Sequence, residues 1–310
     1  MSAQRNISFV FFHYGPIPNY LRHAIESARF FNPDSRIILA CDSHVPFPRT
    51  WNVEVINYHH FETPELQAFR KVYVHISTFK ERYERFVLER WFYLTEIIKR
   101  LQCNDTVTLD SDLMVFQPLA PFFKYFQNVA FGMQCYSPHL TFVRTGVEGF
   151  LEHIMARYTD PAYLVQARER FTEARKQGGL RNLGEMEFVL EYLLKAQNVE
   201  PYSINFPEGH LDSNINEPHG CVNRKVGRRF RKCVYWEYQN GCYIPSLRDI
   251  NTHAKIPVVT LHFQGPAKKL MRRFNPVGDQ TWLSPEVRCK YLNFHFNRFS
   301  RTLPSAETQA

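Results

Sequence analysis

Between residues 7 and 134, short unbroken apolar runs alternate with amphipathic stretches of helical period, and that alternation narrows the class of fold more than any other feature. ISFVFF (7–12), RIILAC (36–41), VEVINY (53–58), DTVTL (105–109) and VAFGMQ (129–134) read as strands. The first two are continuously apolar rather than alternating, as expected of strands covered on both faces. Between them, PNYLRHAIESARFF (18–31) places Leu21, Ile25 and Ala28 on one helical face, and NPDS ends it. Residues 64–102 read as mostly helical, and RFVLERWFYLTEIIKRL (85–101) carries Lys and Arg in its last turn, where the helix dipole favours cations. The expected fold class is α/β: a single Rossmann-like, mostly parallel central sheet flanked by helices, with ligands at the carboxyl ends of the strands.

From about residue 135 the alternation weakens. GVEGFLEHIMARY (146–158) and EMEFVLEYLLKAQ (185–197) read as helices, joined by the polar, glycine-containing ERFTEARKQGGLRN (169–182). Residues 205–252 are rich in Asn, Gly, Pro and basic residues and read as loops with short strands; PVVTLHF (257–263) is again a buried strand. No internal repeat, low-complexity block or linker divides the chain, so the expectation is one domain over 1–300 with a disordered tail at 301–310.

Apolar residues make up 44% and aromatic residues 15% of the 310, enough for a large core and too many for a disordered chain. A formal charge of +8 favours anionic partners, such as nucleotide phosphates, nucleic acid or an acidic membrane surface, with a merely solvated basic face as the plain alternative. Part of that charge is concentrated in RKVGRRFRK (224–232), a segment suited to phosphates or lipid head groups. No zinc-finger or RNA-recognition pattern accompanies it, which counts against nucleic acid. The seven cysteines (41, 103, 135, 221, 233, 242, 289) contain no C-x-x-C pair, so they suit buried thiols in a reducing compartment better than a disulfide framework or a cysteine zinc site. His13 breaks the N-terminal apolar run, and no apolar stretch reaches the ~18 residues of a membrane span. The expected location is cytoplasmic, with peripheral membrane contact through 224–232 as the alternative.

The chemistry gathers at strand ends. Asp110-Ser111-Asp112 follows the strand DTVTL, and in an extended segment residues i and i+2 point the same way. Two carboxylates sharing one face of a cleft repel, and a divalent cation relieves that repulsion. Oxygen ligands suit Mg2+ or Mn2+, which also take substrate phosphate oxygens, so Asp110 and Asp112 read as half of a metal site completed by a diphosphate. D-x-D also occurs in ordinary surface turns; its position after a buried strand favours the metal. A distant element supports it. VVTLHFQGPAKKL (258–270) is an apolar strand ending in His262, a third candidate ligand that Mn2+ accepts more readily than Mg2+, or else a hydrogen-bonded core histidine. Gly265 lets backbone approach a phosphate, and Lys268 neutralises one.

RWFYLTEIIKRLQCNDTVTLDSDLMVFQPL followed much later by LHFQGPAKK resembles the A-type glycosyltransferases, the metal-dependent, nucleotide-sugar enzymes with a D-x-D motif, and most of all their retaining, glycogenin- and galactosyltransferase-like branch. The resemblance covers residues 6–134 and 257–270. It implies that Asp110, Asp112 and His262 bind Mn2+ (or Mg2+), that Ser111 lies under the donor ribose, that Tyr14 contacts the base, that Arg90 contacts the donor sugar or the second aspartate, and that Gly265 and Lys268 hold the diphosphate. The donor implied is a UDP-sugar, and the acceptor a glycan, a lipid-linked sugar or a protein. Residues 1–134 would then form the nucleotide-sugar half and 135–270 the acceptor-side half. A loop aromatic and a helix ion pair are the plain readings of Tyr14 and Arg90. In two places the chain departs from the family pattern: Lys268 is followed by Lys269 and Leu270 rather than proline and an aromatic, and SPHLTFVRTG (137–146) stands where a Phe-Asn-x-Gly segment is usual.

A retaining enzyme can let the leaving phosphate accept the acceptor's proton, whereas an inverting one needs a carboxylate base. Glu185, in RNLGEMEF, and Asp212 with Asn214, in HLDSNIN, are the catalytic and acceptor-side candidates; a first-turn helix carboxylate and an Asx turn are their plain readings. Two other functions compete. A sugar nucleotidyltransferase would carry a glycine-rich, basic loop after the first strand, and HYGPIPNY has one Gly and no Lys or Arg. A nonenzymatic membrane- or nucleic-acid-binding protein would act through 224–232 and tolerate loss of Asp110.

Overall fold

Alternate residues of the first strand enter two different cores, which explains why its apolar run is unbroken. The computed structural model describes residues 6–42, 52–134, 137–178, 183–196, 199–202, 205–211, 213–215, 223–226, 229–232, 234–239, 242–249 and 251–277. In β1 (Ser8–His13), Phe9 and Phe11 pack with Ile37 and Leu39 of β2 (Arg36–Cys41) and with Leu21, Ile25 and Ala28 of α1 (Asn19–Phe31). Val10 and Phe12 face the other way, with Ile38 and Ala40, onto Leu88, Trp91 and Phe92. Around β1 and β2 both faces of the sheet are covered by apolar side chains, and each fully buried Phe contributes roughly 2 kcal/mol.

The chain continues through β3 (Val53–Asn57), α2 (Pro64–Val72), α3 (Glu81–Arg100), β4 (Thr106–Leu109), β5 (Leu113–Val115), β6 (Phe131–Gln134) and β7 (Ser137–Val143). Helices α4 (Glu148–Tyr158), α5 (Pro161–Lys176) and α6 (Glu185–Leu193) lead into β8 (Val199–Tyr202). The main sheet has seven strands in the order β3-β2-β1-β4-β7-β6-β8. The pairs β3–β2, β2–β1, β1–β4 and β6–β8 are parallel, and only β7 runs against its neighbours, so the sheet is mostly parallel as expected.

The remainder consists of short strands. These are β9 (Asn205–Phe206), β10 (Gly209–His210), β11 (Ser213–Asn214), β12 (Asn223–Val226), β13 (Arg229–Lys232), β14 (Tyr235–Gln239), β15 (Cys242–Arg248), β16 (Lys255–Pro257) and β17 (Thr260–His262), followed by α7 (Met271–Phe274). A second sheet, β11-β17-β5, borrows its outer strand from the segment just after Asp112. The basic segment 224–232 contributes the antiparallel pair β12–β13.

Three expectations are corrected. ERFTEARKQGGLRN is not a plain connection, because α5 runs through it to Lys176. Its Glu, Ala, Arg and Lys residues are strong helix formers, Pro161 occupies the first turn, and the Asp160 side chain caps the backbone N–H groups of Ala162 and Tyr163. PVVTLHF is two strands rather than one: β16 pairs with β15, then the chain crosses to β5. Asp110-Ser111-Asp112 is a turn, closed by the Leu113 N–H donating to the Asp110 carbonyl at 3.1 Å, because the chain must pass here from one sheet to the other. Residues 278–310, with the expected tail at 301–310, and Asp212 lie outside the described residues. No helix among the described residues is long and apolar enough to cross a membrane.

Candidate functional site

The corner between the two sheets brings three distant segments together. β7 pairs with β4, and one step beyond the strand the Asp110 N–H donates to the His139 carbonyl at 2.8 Å. β17 pairs with β5 so that His262 stands opposite Leu113, and the Phe263 N–H donates to the Asp112 carbonyl at 2.8 Å. Backbone pairing on two sides thus carries His139 to Asp110 and His262 to Asp112.

The turn sends the carboxylates to different partners instead of onto one strand face. Asp110 accepts from Arg90 Nη1 at 2.7 Å, and its other oxygen meets His139 Nδ1 at 3.0 Å. Asp112, buried at 6% exposure, lies 3.3 Å from His262 Nε2 and 3.0 Å from Lys268 Nζ. The His139 and His262 rings are 4.0 Å apart between centroids. One donor atom from each of Asp110, His139 and His262 falls within 4.8 Å of the others, a spacing one cation can span. Two imidazoles and a carboxylate suit Mn2+ better than Mg2+, so the residues present fit the metal expected from the sequence.

Burial raises both aspartates, yet their partners prevail. Arg90 and His139 hold the Asp110 carboxyl well below the usual range, and His262 and Lys268 lower Asp112 against the repulsion of Asp110. Lys268 is buried enough to be pushed down, but Asp112 raises it. Its ammonium also lies over the Tyr20 ring, 4.9 Å from the centroid.

Glu185, the first residue of α6, is 7% exposed. Arg90 donates to its two oxygens at 2.9 Å each, and the Trp91 indole N–H donates to Oε1 as well. Burial and the nearby Asp110 push its carboxyl up to about 7 despite Arg90. Glu185 therefore faces Arg90 and Trp91, and Arg90 links it to Asp110.

Of the other sequence candidates, Tyr14 and Ser111 follow β1 and β4, parallel strands that end side by side. Tyr14 follows β1 and packs on Phe86 at 5.4 Å between rings, while the next residue, Gly15, donates its N–H to Asp42 Oδ1 at 3.0 Å. Ser111 is half-buried at the centre of the turn. Gly265 has φ +60, and nothing lies within 4 Å of where a Cβ would stand. It opens the 3-10 turn Gly265–Leu270 that carries Lys268. Asn214 pairs with His262 through β11, whereas the placement of Asp212 lies outside the described residues.

Sequence reasoning missed His139. A histidine at the head of SPHLTFV has no spacing relation to D-x-D, and only the β4–β7 register reveals it. It also missed Trp91 and Asp42, which brace Glu185 and the loop after β1.

No protein-family model matches the chain, and no curated protein matches it. Solved structures do. The chain is similar to the galactosyltransferase LgtC in complex with donor and acceptor sugar analogues, at 14% identity over 96% of this chain and 98% of that one, with a TM-score of 0.42. It is similar to a glycosyltransferase involved in glycosylating the major capsid of PBCV-1, at 10% identity over 94% and 100%, TM-score 0.40. It is also similar to mouse xyloside xylosyltransferase 1, at 12% identity over 68% and 87%, TM-score 0.35.

Proposed function

We propose that this chain is a metal-dependent glycosyltransferase that moves a sugar, with retention, from a nucleoside-diphosphate donor, expected to be a UDP-sugar, to a glycan, lipid-linked or protein acceptor. The observation that carries this reading is the convergence of Asp110, His139 and His262 beside the Asp112–Lys268 ion pair, at the carboxyl ends of β1 and β4. Asp110, His139 and His262 would hold Mn2+, with Asp112 as the further carboxylate of the D-x-D. A divalent cation there supplies neutralisation of the diphosphate charge that grows as the glycosidic bond breaks.

The chain's own groups have separate tasks. Lys268 exchanges Asp112 for a phosphate oxygen and stabilises the leaving group. Gly265, in a left-handed conformation with open space around it, brings the backbone of the 3-10 turn close to that phosphate. Arg90 aims Asp110, and Glu185, both of whose oxygens are engaged, positions Arg90. Tyr14 and Ser111 border the nucleoside, and Asp212 remains an acceptor-side candidate. With retention the departing phosphate takes the acceptor's proton, so no protein base is required.

A donor screen tests the reading. The protein is incubated with Mn2+ and a panel of nucleotide sugars, and released nucleotide is measured. Metal-dependent release that disappears in Asp110→Asn is the expected result. Absence of both turnover and metal-dependent nucleotide binding across the panel would overturn it, and the product anomer decides retention. Peripheral membrane contact through 224–232 belongs to the same reading and is tested by cosedimentation with anionic vesicles.

A further inference from the structure

Three consecutive residues at the head of α6 each meet a different part of the segment 76–91. The Leu183 N–H donates to the Ile76 carbonyl at 2.8 Å, Gly184 lies against the Glu84 carboxyl, and Glu185 accepts from Arg90 and Trp91. Glu84 and Trp91 are seven residues apart on α3, so they share one face of that helix, about 10 Å apart along its axis.

Glu84 is only 6% exposed. Its Oε2 accepts from Ser77 Oγ at 3.2 Å, and Ser77 Oγ accepts from the Phe79 N–H at 3.1 Å. Its Oε1 faces Gly184, where a Cβ would lie 3.3 Å from Glu84 Cδ and overlap Oε1. Gly184 has φ −148 and ψ −172, extended backbone open to any residue, so what this glycine supplies is room for the carboxyl. The tip of a glutamate normally swings aside easily; this one is buried and bonded, so it acts as a wedge. Burial raises its carboxyl despite Ser77 and His75, so the fit depends on shape and the Ser77 bond more than on charge.

We infer that Glu84 is a positioning residue for the metal carboxylate: wedged between Ser77 and Gly184, it fixes the start of α6 on α3, so that Glu185 holds Arg90 and Arg90 aims Asp110. A guanidinium shared between carboxylates of two elements keeps its bonds only while those elements hold their spacing. Here the bonds are 2.7 Å and 2.9 Å long, and a shift of about 1 Å carries such a bond beyond useful length. The link to the ion rests on the metal-dependent reading proposed above; the placing of Glu185 does not.

Trp91 reports on Glu185 without any metal. Its indole N–H, one of four in the chain, is buried and donates to Glu185. In metal-free protein labelled with 15N-tryptophan, its NMR signal, identified by its loss in Trp91→Phe, should exchange slowly with solvent. Glu84→Ala should speed that exchange at least about tenfold and weaken Mn2+ binding, read by electron paramagnetic resonance of the free ion, about tenfold. Glu84→Gln, which keeps the shape and an acceptor for Ser77, should hold both near wild type. Gly184→Ala, which adds a methyl instead of removing a buried group, should act like Glu84→Ala, and combining the two should cause little further loss because they break one contact. Glu26→Gln, which alters a buried carboxyl on α1, is the control for general loosening and should leave both readouts unchanged. Circular dichroism and melting temperature show that each variant is folded. A fast-exchanging Trp91 in the wild type, an unchanged rate in Glu84→Ala, equal losses in Glu84→Gln, additive losses in the double variant or the same losses in Glu26→Gln would overturn the assignment. Faster exchange with unaltered Mn2+ affinity would overturn its link to the ion. If the wild type binds no Mn2+, the metal-dependent reading fails, and the Trp91 signal still decides whether Glu84 places Glu185.

Discussion

Arg90 and Glu185, 95 positions apart, are joined by two parallel hydrogen bonds of 2.9 Å each, and the third bonding nitrogen of the same guanidinium reaches Asp110 at 2.7 Å. The pair is buried, so its fork geometry matters more than its charge. Arg90→Lys keeps the charge but cannot serve both carboxylates. It should lower stability by about 2–4 kcal/mol in urea unfolding, because it leaves a buried carboxylate poorly paired. The same variant should weaken Mn2+ binding measured calorimetrically, since Asp110 loses its orientation. Unaltered stability would show that the pair is replaceable.

His139 separates the structural account of the metal site from the sequence account. His139→Ala should reduce Mn2+ affinity at least about tenfold, comparable to His262→Ala, when followed by electron paramagnetic resonance of the free ion. An affinity equal to wild type would remove His139 from the ligand set and leave the site to Asp110, Asp112 and His262.

Lys268 should have opposite effects on two ligands. It now neutralises Asp112, so Lys268→Met should tighten Mn2+ binding in the absence of nucleotide by removing a competing cation. It should also weaken binding of a nucleoside diphosphate in the presence of Mn2+. Titrating the metal first and the nucleotide second distinguishes this exchange from general damage, which would weaken both.

Glu26 supplies a pH-dependent contribution to the fold away from the site. It is 5% exposed and bonds with Arg22 at 2.8 Å and with Asn275, tying α1 to the end of the described chain. Burial raises its carboxyl, but His23, Arg22 and Asn275 outweigh that and bring it below its ordinary value of 4.5. A folded-state value below the unfolded one means the stabilisation is present above about pH 4.5 and is lost as pH falls through the folded-state value. Glu26→Gln should therefore cost about 1–2 kcal/mol at pH 7, with the difference from wild type shrinking as the pH is lowered below about 4. Urea unfolding across pH 3–7 measures it; a difference independent of pH would mean that packing, not the charge, holds Glu26.

Much of the α/β architecture was legible because its causes are local. An apolar run such as ISFVFF can be satisfied only by cover on both faces, and the period of PNYLRHAIESARFF presents one apolar stripe to it. The segments carrying Asp110, Asp112, His262, Gly265 and Lys268 were legible because each follows an apolar run; that the second run belongs to a separate sheet and meets the first only through β5 was not. The D-x-D spacing was misread as extended because the sequence does not show that the chain changes sheets between β4 and β5.

What the sequence determined by itself, then, was which segments are buried on two faces and which reactive side chains stand at their ends. The tertiary structure decided the rest: that β7 runs antiparallel beside β4 and delivers His139, that β17 meets β5 and delivers His262, and that Arg90 is shared between Glu185 and Asp110. Periodicity is a property of neighbours along the chain, whereas the register of one strand against another is set by packing between residues tens to more than a hundred positions apart.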